Sequence, residues 1–494
     1  MSLIQVQDLT FSYPGSFVNV FENVSFQLDT DWKLGLVGRN GRGKTTLLRL
    51  LQGEYEYSGS IRAGVPFHYF PYPVADTSRL TMEVLEEDCP TAEDWELIRE
   101  SSLLEVEEAA LWRPFATLSP GEQTKALLAA LFCGGDRFLL IDEPTNHLDS
   151  RGRELLADYL RRKKGFLLVS HDRRFLDGCV DHILALNRTG VEVQSGNFSS
   201  WWENKERRDA FEQTENEKLR GEIKRLEQSA EQRKQKADAV ERAKTGISSQ
   251  GIVKYGLRPY LGEKSRKGQQ QRKNMDRRAE RAVAEKSALL KDLEKAETLK
   301  LRPLTARGRL LDLREVRLFY GEKQVCGPLT FQLEPGDRLA IHGGNGSGKS
   351  TLLKLLCGEA GMASTGALTR LPGLTVSYVP QDTSRLRGDL RSCARAWGVE
   401  ETLLLTILRK LNFPREQFET VMADWSLGQK KKVLLARSLC ESAHLYVWDE
   451  PLNYIDVWSR IQMEALLLQF QPTMVFVEHD RAFRDTVATK TVQL

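Results

Sequence analysis

The chain has 494 residues, 41% of them hydrophobic and 28% charged, with a formal net charge of +3. This length predicts two or three domains that each bury a core, and no stretch approaches the roughly 18 consecutive apolar residues of a membrane helix. The seven cysteines are scattered without any Cys-x-x-Cys pair. That pattern favours reduced thiols in a cytoplasmic protein over a disulfide framework or a zinc site.

The first domain, predicted over residues 1–203, contains a phosphate-binding loop at residues 38–45. Its glycines let backbone N–H groups approach phosphate oxygens at the start of a helix. Lys44 is predicted to neutralise phosphate charge, and Thr45 to supply a hydroxyl ligand to Mg²⁺. The predicted nucleotide contacts of this loop are Gly38, Asn40, Gly41, Gly43, Lys44, Thr45 and Thr46.

Two short apolar runs in the first domain end at candidate catalytic residues. Residues 138–141 precede Asp142 and Glu143, and residues 166–169 come shortly before His171. Apolar runs without alternation predict strands that are buried on both faces of a mainly parallel sheet. Asp142 suits a Mg²⁺ site, Glu143 is placed to polarise the attacking water, and His171 can hydrogen-bond a γ-phosphate.

The middle segment, residues 204–305, is unlike either flank. Heptad spacing runs from Leu219 to Val240 and again from Met275 to Ala296, which predicts two long helices. Residues near 246–262 are rich in glycine and break this pattern, so they are predicted to form the tip of an antiparallel helical hairpin. Residues 231–290 carry 16 Lys and Arg against 7 Asp and Glu, which makes the hairpin basic.

The second domain, predicted over residues 306–494, repeats the first motif by motif. The Ser-x-Gly motif and the strand-end aspartate are 23 residues apart in both copies, and such a matched order indicates a duplicated nucleotide-binding domain. Tyr13 and Tyr320 lie 25 and 23 residues before their loops and are candidates to stack on adenine. The other second-domain candidates are Gly343, Asn345, Gly346, Gly348, Lys349, Ser350 and Thr351 for the nucleotide, Ser350 and Asp449 for Mg²⁺, and Glu450 and His479 for catalysis.

Four segments, 118–123, 425–429, 142–149 and 449–456, resemble the motifs of ATP-binding-cassette domains. The resemblance implies an α/β fold with two phosphate-loop nucleotide-binding domains in tandem, joined here by the long helical hairpin. It also implies an intramolecular head-to-tail sandwich that hydrolyses ATP with Mg²⁺, because in that family the signature Ser-x-Gly caps the γ-phosphate held by the opposite domain. The implied composite sites are Lys44, Asp142 and Glu143 with Ser426 and Gly428, and Lys349, Asp449 and Glu450 with Ser119 and Gly121.

Three positions depart from the family pattern. Pro120 and Leu427 stand where the signature usually has glycine, and a proline directly after a serine N-cap still allows a good helix start. Gln381 matches the glutamine that the family places at the Mg²⁺ site. Tyr72 takes the corresponding place in the first domain, which predicts altered metal handling there.

The whole chain resembles the F subfamily of these ATPases, in which two cassettes are fused through a charged helical hairpin and no membrane domain is present. Residues 31–44, 111–115 and 447–454 look like the Lsa-type antibiotic-resistance proteins. The resemblance implies a protein that is monomeric off the ribosome and binds the E site of the 70S ribosome, near 23S rRNA and P-site tRNA. There it would displace lincosamides, streptogramin A compounds and pleuromutilins.

Two other hypotheses remain open from the sequence. One is a housekeeping translation factor that acts on stalled ribosomes without conferring resistance. The other is an ATPase clamp on DNA, or the motor half of a transporter with a separate membrane partner. The long basic hairpin argues against the transporter. Its predicted length is also far greater than a connector between two adjacent domains requires.

Overall fold

The computed structural model describes residues 2–16, 18–135, 137–187, 190–247, 299–321, 323–359 and 363–494. The chain divides into two compact units, one formed by Met1–Trp201 with Ala296–Leu494 and the other by Trp202–Lys295. The first unit holds two similar α/β domains. Among the described residues, none of the helices combines the length and the apolar content that crossing a bilayer requires.

The first domain is built on a six-stranded sheet of order β5-β6-β7-β3-β8-β9, in which only the β8–β9 pair is antiparallel. A second, antiparallel sheet has the order β2-β1-β4. The strands are β1 (Leu3–Phe11), β2 (Phe21–Asp29), β3 (Lys33–Gly38), β4 (Ser58–Arg62), β5 (Phe67–Phe70), β6 (Phe138–Asp142), β7 (Phe166–Val169), β8 (His182–Asn187) and β9 (Gly190–Ser195). The helices are Lys44–Gln52, Thr81–Asp88, Asp94–Leu103, Glu108–Leu111, Pro120–Leu131, Ser150–Arg161 and Arg173–Cys179, with a 3₁₀ turn at Phe115–Thr117.

The second domain repeats this plan with a five-stranded parallel sheet of order β14-β15-β16-β12-β17 and an antiparallel sheet of order β11-β10-β13. Its strands are β10 (Leu311–Tyr320), β11 (Lys323–Leu333), β12 (Arg338–His342), β13 (Ala363–Arg370), β14 (Val376–Val379), β15 (Leu445–Asp449), β16 (Met474–Val477) and β17 (Lys490–Gln493). Its helices are Lys349–Cys357, Leu390–Trp397, Glu401–Lys410, Leu427–Cys440, Val457–Phe470 and Arg481–Val487, with 3₁₀ turns at Arg415–Glu419 and Met422–Asp424.

The buried parallel strands follow from their sequence. Every residue of β7 and β16 is buried, as are the first four of β6 and all of β15. Such strands carry no polar face, because other elements cover both sides of the sheet: in the second domain, helices pack on one side, and one helix with the antiparallel sheet packs on the other. Parallel strands end at the same edge of their sheet. In the first domain this edge brings together the residues that follow β6 and β7. In the second domain it brings together the residues that follow β15 and β16. The structure confirms the α/β fold with two tandem nucleotide-binding domains.

A helix of 50 residues, Phe198–Ile247, follows the first domain along the chain. It is the first of the two helices predicted for the middle segment, and Lys205–Asp209 at 3.0 Å is one of its i,i+4 ion pairs. Residues 248–298 lie outside the described residues, so the predicted return helix and most of the tip remain predictions.

Candidate ATP-hydrolysis sites

Each phosphate loop enters its helix through a glycine in the left-handed region. Gly43 has a φ of 83° and Gly348 a φ of 89°. A β carbon would stand 2.6 Å from Val20 Cγ1 at the first position and 2.9 Å from Val325 Cγ1 at the second. Any other residue would therefore strain the backbone and collide with the nearby valine side chain, so the geometry requires glycine at both positions.

The two loop lysines point back onto the carbonyls of their own loops. Lys44 Nζ donates to Gly38 O at 2.8 Å, and Lys349 Nζ donates to Gly343 O at 2.9 Å and to Gly344 O at 2.8 Å. Burial lowers the pKa of both ammonium groups. Each loop therefore combines a buried cation with helix N-terminal N–H groups, an arrangement that suits the phosphate chain of a nucleotide.

A hydroxyl and a carboxylate meet beside each loop. Thr45 Oγ1 donates to Asp142 Oδ2 at 2.8 Å, and Ser350 forms the corresponding hydrogen bond with Asp449. Burial raises the pKa of both carboxyl groups, to about 6 for Asp449. Asp449 Oδ1 is buried and has no hydrogen-bond partner among the described residues. A hard cation beside these oxygens would stabilise the ionised carboxylates, so the residues fit Mg²⁺.

The protein alone does not supply a full coordination shell. In the described part of the chain, no group of three or more His, Cys, Asp or Glu side chains could hold a metal ion. A threonine or serine hydroxyl with one aspartate, completed by nucleotide oxygens and water, is the usual environment of Mg²⁺ in phosphoryl transfer. Thr45 with Asp142, and Ser350 with Asp449, would hold Mg²⁺ in this way.

The candidate catalytic glutamates adopt a strained backbone at the end of their strands. Glu143 has a φ of 50° and Glu450 a φ of 46°, which costs non-glycine residues on the order of 1–3 kcal/mol each. The conformation is held because Glu143 N donates to Val169 O at 2.9 Å and Glu450 N donates to Val477 O at 3.0 Å. These valines end the adjacent strands, so the strained turn fixes each glutamate against the strand that leads to the histidine motif.

Each glutamate faces its histidine. His171 Nε2 lies 3.4 Å from Glu143 Oε1, and His479 Nε2 lies 3.3 Å from Glu450 Oε1. Burial, and after it the positive charge of Lys44, holds the pKa of His171 well below its ordinary value. The imidazole of the first site is therefore neutral at physiological pH and can donate from one ring nitrogen while it accepts at the other.

The two glutamates nevertheless have unequal surroundings. Glu450 Oε2 accepts from Gln381 Nε2 at 2.8 Å and from Asn453 Nδ2 at 2.7 Å. Burial alone would raise the pKa of Glu450, but the hydrogen bonds and charge of its neighbours outweigh burial and place it below the ordinary value. Glu143 Oε1 is buried without a hydrogen-bond partner among the described residues. Burial, together with the charge of Asp142, raises the pKa of Glu143 to about 8.

Tyr72 does not take over the position of Gln381. Its side chain is half-buried beside Asp88, and burial and that carboxylate raise its pKa. Tyr69 approaches the metal position instead, since its hydroxyl donates to Asp142 Oδ2 at 3.1 Å. Sequence reasoning identified the missing glutamine and overlooked Tyr69, because only the alternation of side chains along β5 decides which tyrosine faces the loop.

The two candidate adenine-stacking residues can be described only in part. Tyr13 is partly exposed, and its hydroxyl hydrogen-bonds Thr46 Oγ1 at 2.7 Å, next to the phosphate loop. Its ring packs edge-on against Phe11. The side chain of Tyr320 lies outside the described residues. Thr46 and Thr351 both lie in the first turn of the helix that follows their loop.

Both signature serines cap helices. Ser119 accepts from Glu122 N and Ser426 from Gln429 N, each at 3.3 Å. The helices that they cap, Pro120–Leu131 and Leu427–Cys440, are called here the first and second signature helices. Pro120 occupies the first helical position, which a proline tolerates because the N–H there needs no intrahelical partner.

The two domains contact each other through their candidate sites. Asn40 Nδ2 donates to Tyr454 O at 3.1 Å, and Asn345 Nδ2 donates to His147 O at 3.4 Å. Tyr454 O would be 2.7 Å from a β carbon at Gly428, so it packs on the start of the second signature helix. His147 O similarly lies against Gly121 of the first. Each phosphate loop thus faces the opposite signature, which is the head-to-tail arrangement that the predicted composite sites require.

A pair of buried arginines near the sites was missed from the sequence. Arg153 Nη1 lies 3.0 Å from Asp172, and Arg460 Nη1 lies 2.8 Å from Asp480. Both arginines follow the last aspartate of the 142–149 or 449–456 segment by four residues, and both partner aspartates follow a candidate histidine directly. The matched offsets were a usable signal. Glu478 was also missed: its Oε1 accepts from the backbone of His479 at 2.9 Å.

Comparison with known proteins identifies the class. The model of the ABC transporter family matches residues 21–146 and 326–453, which contain both phosphate loops and both strand-end carboxylate pairs. The chain belongs to the ABC transporter family through these two ATP-binding domains, and it is an ATPase.

The relatives extend along nearly the whole chain. Ribosome protection protein VmlR of Bacillus subtilis (strain 168) is 29% identical over 96% of this chain and 83% of its own length. ATP-binding protein Uup of Caulobacter vibrioides is also 29% identical, over 96% of this chain and 74% of its own length. A solved complex of an archaeal ribosomal stalk protein with the ribosome recycling factor aABCE1 contains a similar fold, with a TM-score of 0.63, 21% identity and coverage of 98% of this chain and 87% of that one.

Proposed function

We propose that this chain is a cytoplasmic F-subfamily ATPase, monomeric off the ribosome, that protects the ribosome from antibiotics of the peptidyl-transferase centre. The similarity to the ribosome protection protein VmlR over 96% of the chain carries the proposal. The 50-residue helix that follows the first ATPase domain along the chain also supports it. At 1.5 Å per residue this helix is roughly 75 Å long, which is far longer than a connector between two adjacent domains requires.

In this proposal the protein binds the ribosomal E site, beside 23S rRNA and P-site tRNA. Lys and Arg of the middle segment neutralise phosphates of the RNA, a contact that positions the protein without reading sequence. Lincosamides, streptogramin A compounds or pleuromutilins are then displaced, directly or through the RNA. ATP with Mg²⁺ closes the two domains and favours ribosome binding, and hydrolysis through Glu143 and Glu450 releases the protein.

Blocking hydrolysis is expected to trap the protein on ribosomes. The double variant Glu143→Gln and Glu450→Gln keeps both phosphate loops and should co-sediment with 70S ribosomes in the presence of ATP at least about tenfold more than the unmodified chain. Co-sedimentation through sucrose, followed by immunoblotting, measures this. Lys44→Ala with Lys349→Ala is the matched control and should stay unbound. A folded double glutamine variant that binds ATP and remains in the supernatant would refute ribosome binding.

A housekeeping translation factor is the second candidate, because the chain is equally similar, at 29% identity, to VmlR and to the ATP-binding protein Uup, whose name specifies no protection from antibiotics. Expression of the chain in a sensitive bacterium separates the two. Ribosome protection predicts a several-fold rise in the inhibitory concentration of a lincosamide, a streptogramin A compound or a pleuromutilin, and the phosphate-loop double variant predicts no rise. Unchanged sensitivity to all three, with protein found on ribosomes, would favour the housekeeping role.

A further inference from the structure

Two adjacent lysines of the second signature helix have buried side chains. Lys431 and Lys432 are each only 3% exposed, and a buried ammonium group is costly unless its donors are satisfied. Lys432 Nζ lies 3.2 Å from Asp456 and forms a buried ion pair. Lys431 Nζ instead donates to two backbone carbonyl oxygens, Pro380 O at 3.0 Å and Asp449 O at 3.3 Å.

These two carbonyls belong to residues next to the chemistry of the second site. Pro380 directly precedes Gln381, and Asp449 directly precedes Glu450. The side chains of those following residues are themselves joined, since Gln381 Nε2 donates to Glu450 Oε2 at 2.8 Å. One ammonium group therefore fastens both backbone segments that carry the glutamine–glutamate pair.

The lysine also connects this pair to the other site. The second signature helix begins after Ser426, five residues before Lys431, and Ser426 is the predicted cap of the nucleotide held by Lys44. A helix moves as a rigid body over such a short distance, so a displacement of its N-terminus carries the Lys431 stem with it. Burial lowers the pKa of Lys431, and the carboxylates of Asp449 and Glu450 oppose that shift.

The first domain has a different residue at the corresponding position. Five residues after Ser119 stands Thr124. Its hydroxyl donates to Pro120 O at 2.9 Å within the same helix, and a threonine side chain is too short to span the distance that the lysine covers. The contact of a buried lysine of the signature helix with these two backbone carbonyls is therefore a feature of the second domain.

We propose that Lys431 is a positioning residue for the second ATP site: it ties the second signature helix to the Gln381 and Glu450 segments, so that hydrolysis on the Lys349 loop depends on the placement of that helix. The inference rests on the site assignment above and is independent of ribosome binding. Lys431 contacts neither nucleotide nor water in this role, and its effect passes through the two backbone carbonyls.

Lys431→Met keeps the length of the stem and removes all three donors. Steady-state ATP turnover of the full chain should show kcat at the second site lowered about tenfold to hundredfold, because small displacements of reacting groups have effects of that size. KM should change much less, since the Lys349 loop is untouched. The site responsible is identified in two backgrounds: Lys44→Ala leaves turnover to the second site, and Lys349→Ala leaves it to the first.

The fall in kcat is expected in the Lys44→Ala chain and should be absent in the Lys349→Ala chain. Lys431→Arg, which retains donors, should restore much of the lost kcat. Thr124→Val is the matched control in the first domain and should leave kcat unchanged. An unchanged kcat for Lys431→Met would overturn the proposal. Equal losses in both backgrounds without rescue by arginine would also overturn it, because they indicate general damage to the fold.

Discussion

Glu450→Gln is expected to lower ATP turnover of the second site by about 10²–10⁴-fold, the usual contribution of a positioned general base. Glu450 is the better prepared of the two glutamates, because Gln381, Asn453 and His479 surround its carboxylate. The substitution replaces one carboxylate oxygen with an NH₂ group, which removes the base and leaves the fold intact. Phosphate release by the Lys44→Ala chain, with and without the substitution, measures the effect.

Glu143→Gln provides the comparison. Glu143 Oε1 has no hydrogen-bond partner among the described residues, and Tyr72 stands where the second domain has Gln381. We therefore expect the Lys349→Ala chain, which relies on the first site, to hydrolyse ATP more slowly than the Lys44→Ala chain before any glutamate is changed. Equal rates in the two chains, with equal losses from the two glutamine substitutions, would contradict the inequality of the sites.

Arg460→Met is expected to destabilise the second domain by about 3–5 kcal/mol, because it leaves the buried Asp480 carboxylate without its counter-ion. Arg460 is 4% exposed, lies 2.8 Å from Asp480 and donates to the carbonyls of Leu452 and Ile455. The loss should be read from amide hydrogen exchange along Val457–Phe470, since local opening energies resolve one domain of a multidomain chain.

The exposed pair of Arg481 and Glu154 is the matched control, with side chains 50% and 59% exposed. Arg481→Met should cost less than about 1 kcal/mol, as solvent-exposed ion pairs usually do. The pair with Arg460 also sets a pH dependence. Burial raises the pKa of the Asp480 carboxyl, but the positive charge of Arg460 opposes burial, and the pKa lies below its ordinary value in the folded state. The stabilisation is therefore present above the unfolded pKa of this carboxyl and is lost as pH falls through the folded value. Similar costs for both arginine substitutions would contradict this account.

Much of the fold could be predicted because its signals are local. The runs before Asp142 and Asp449 consist of apolar residues without alternation, and the structure buries them as central parallel strands. The phosphate-loop glycines, the capping serines and the helix from Phe198 depend on a few neighbouring residues each. Tyr69 was missed for the converse reason, since its role depends on which face of β5 meets Asp142.

The sequence by itself determined that the chain is a duplicated ATPase, because motif order and apolar runs are encoded along the chain. Tertiary structure decided how unequal the two copies are. Only long-range packing places Gln381 against Glu450, turns Tyr72 toward Asp88, and joins Lys431 to the backbone of Pro380 and Asp449. These contacts link residues far apart in sequence, and their strength depends on burial, which no local pattern specifies.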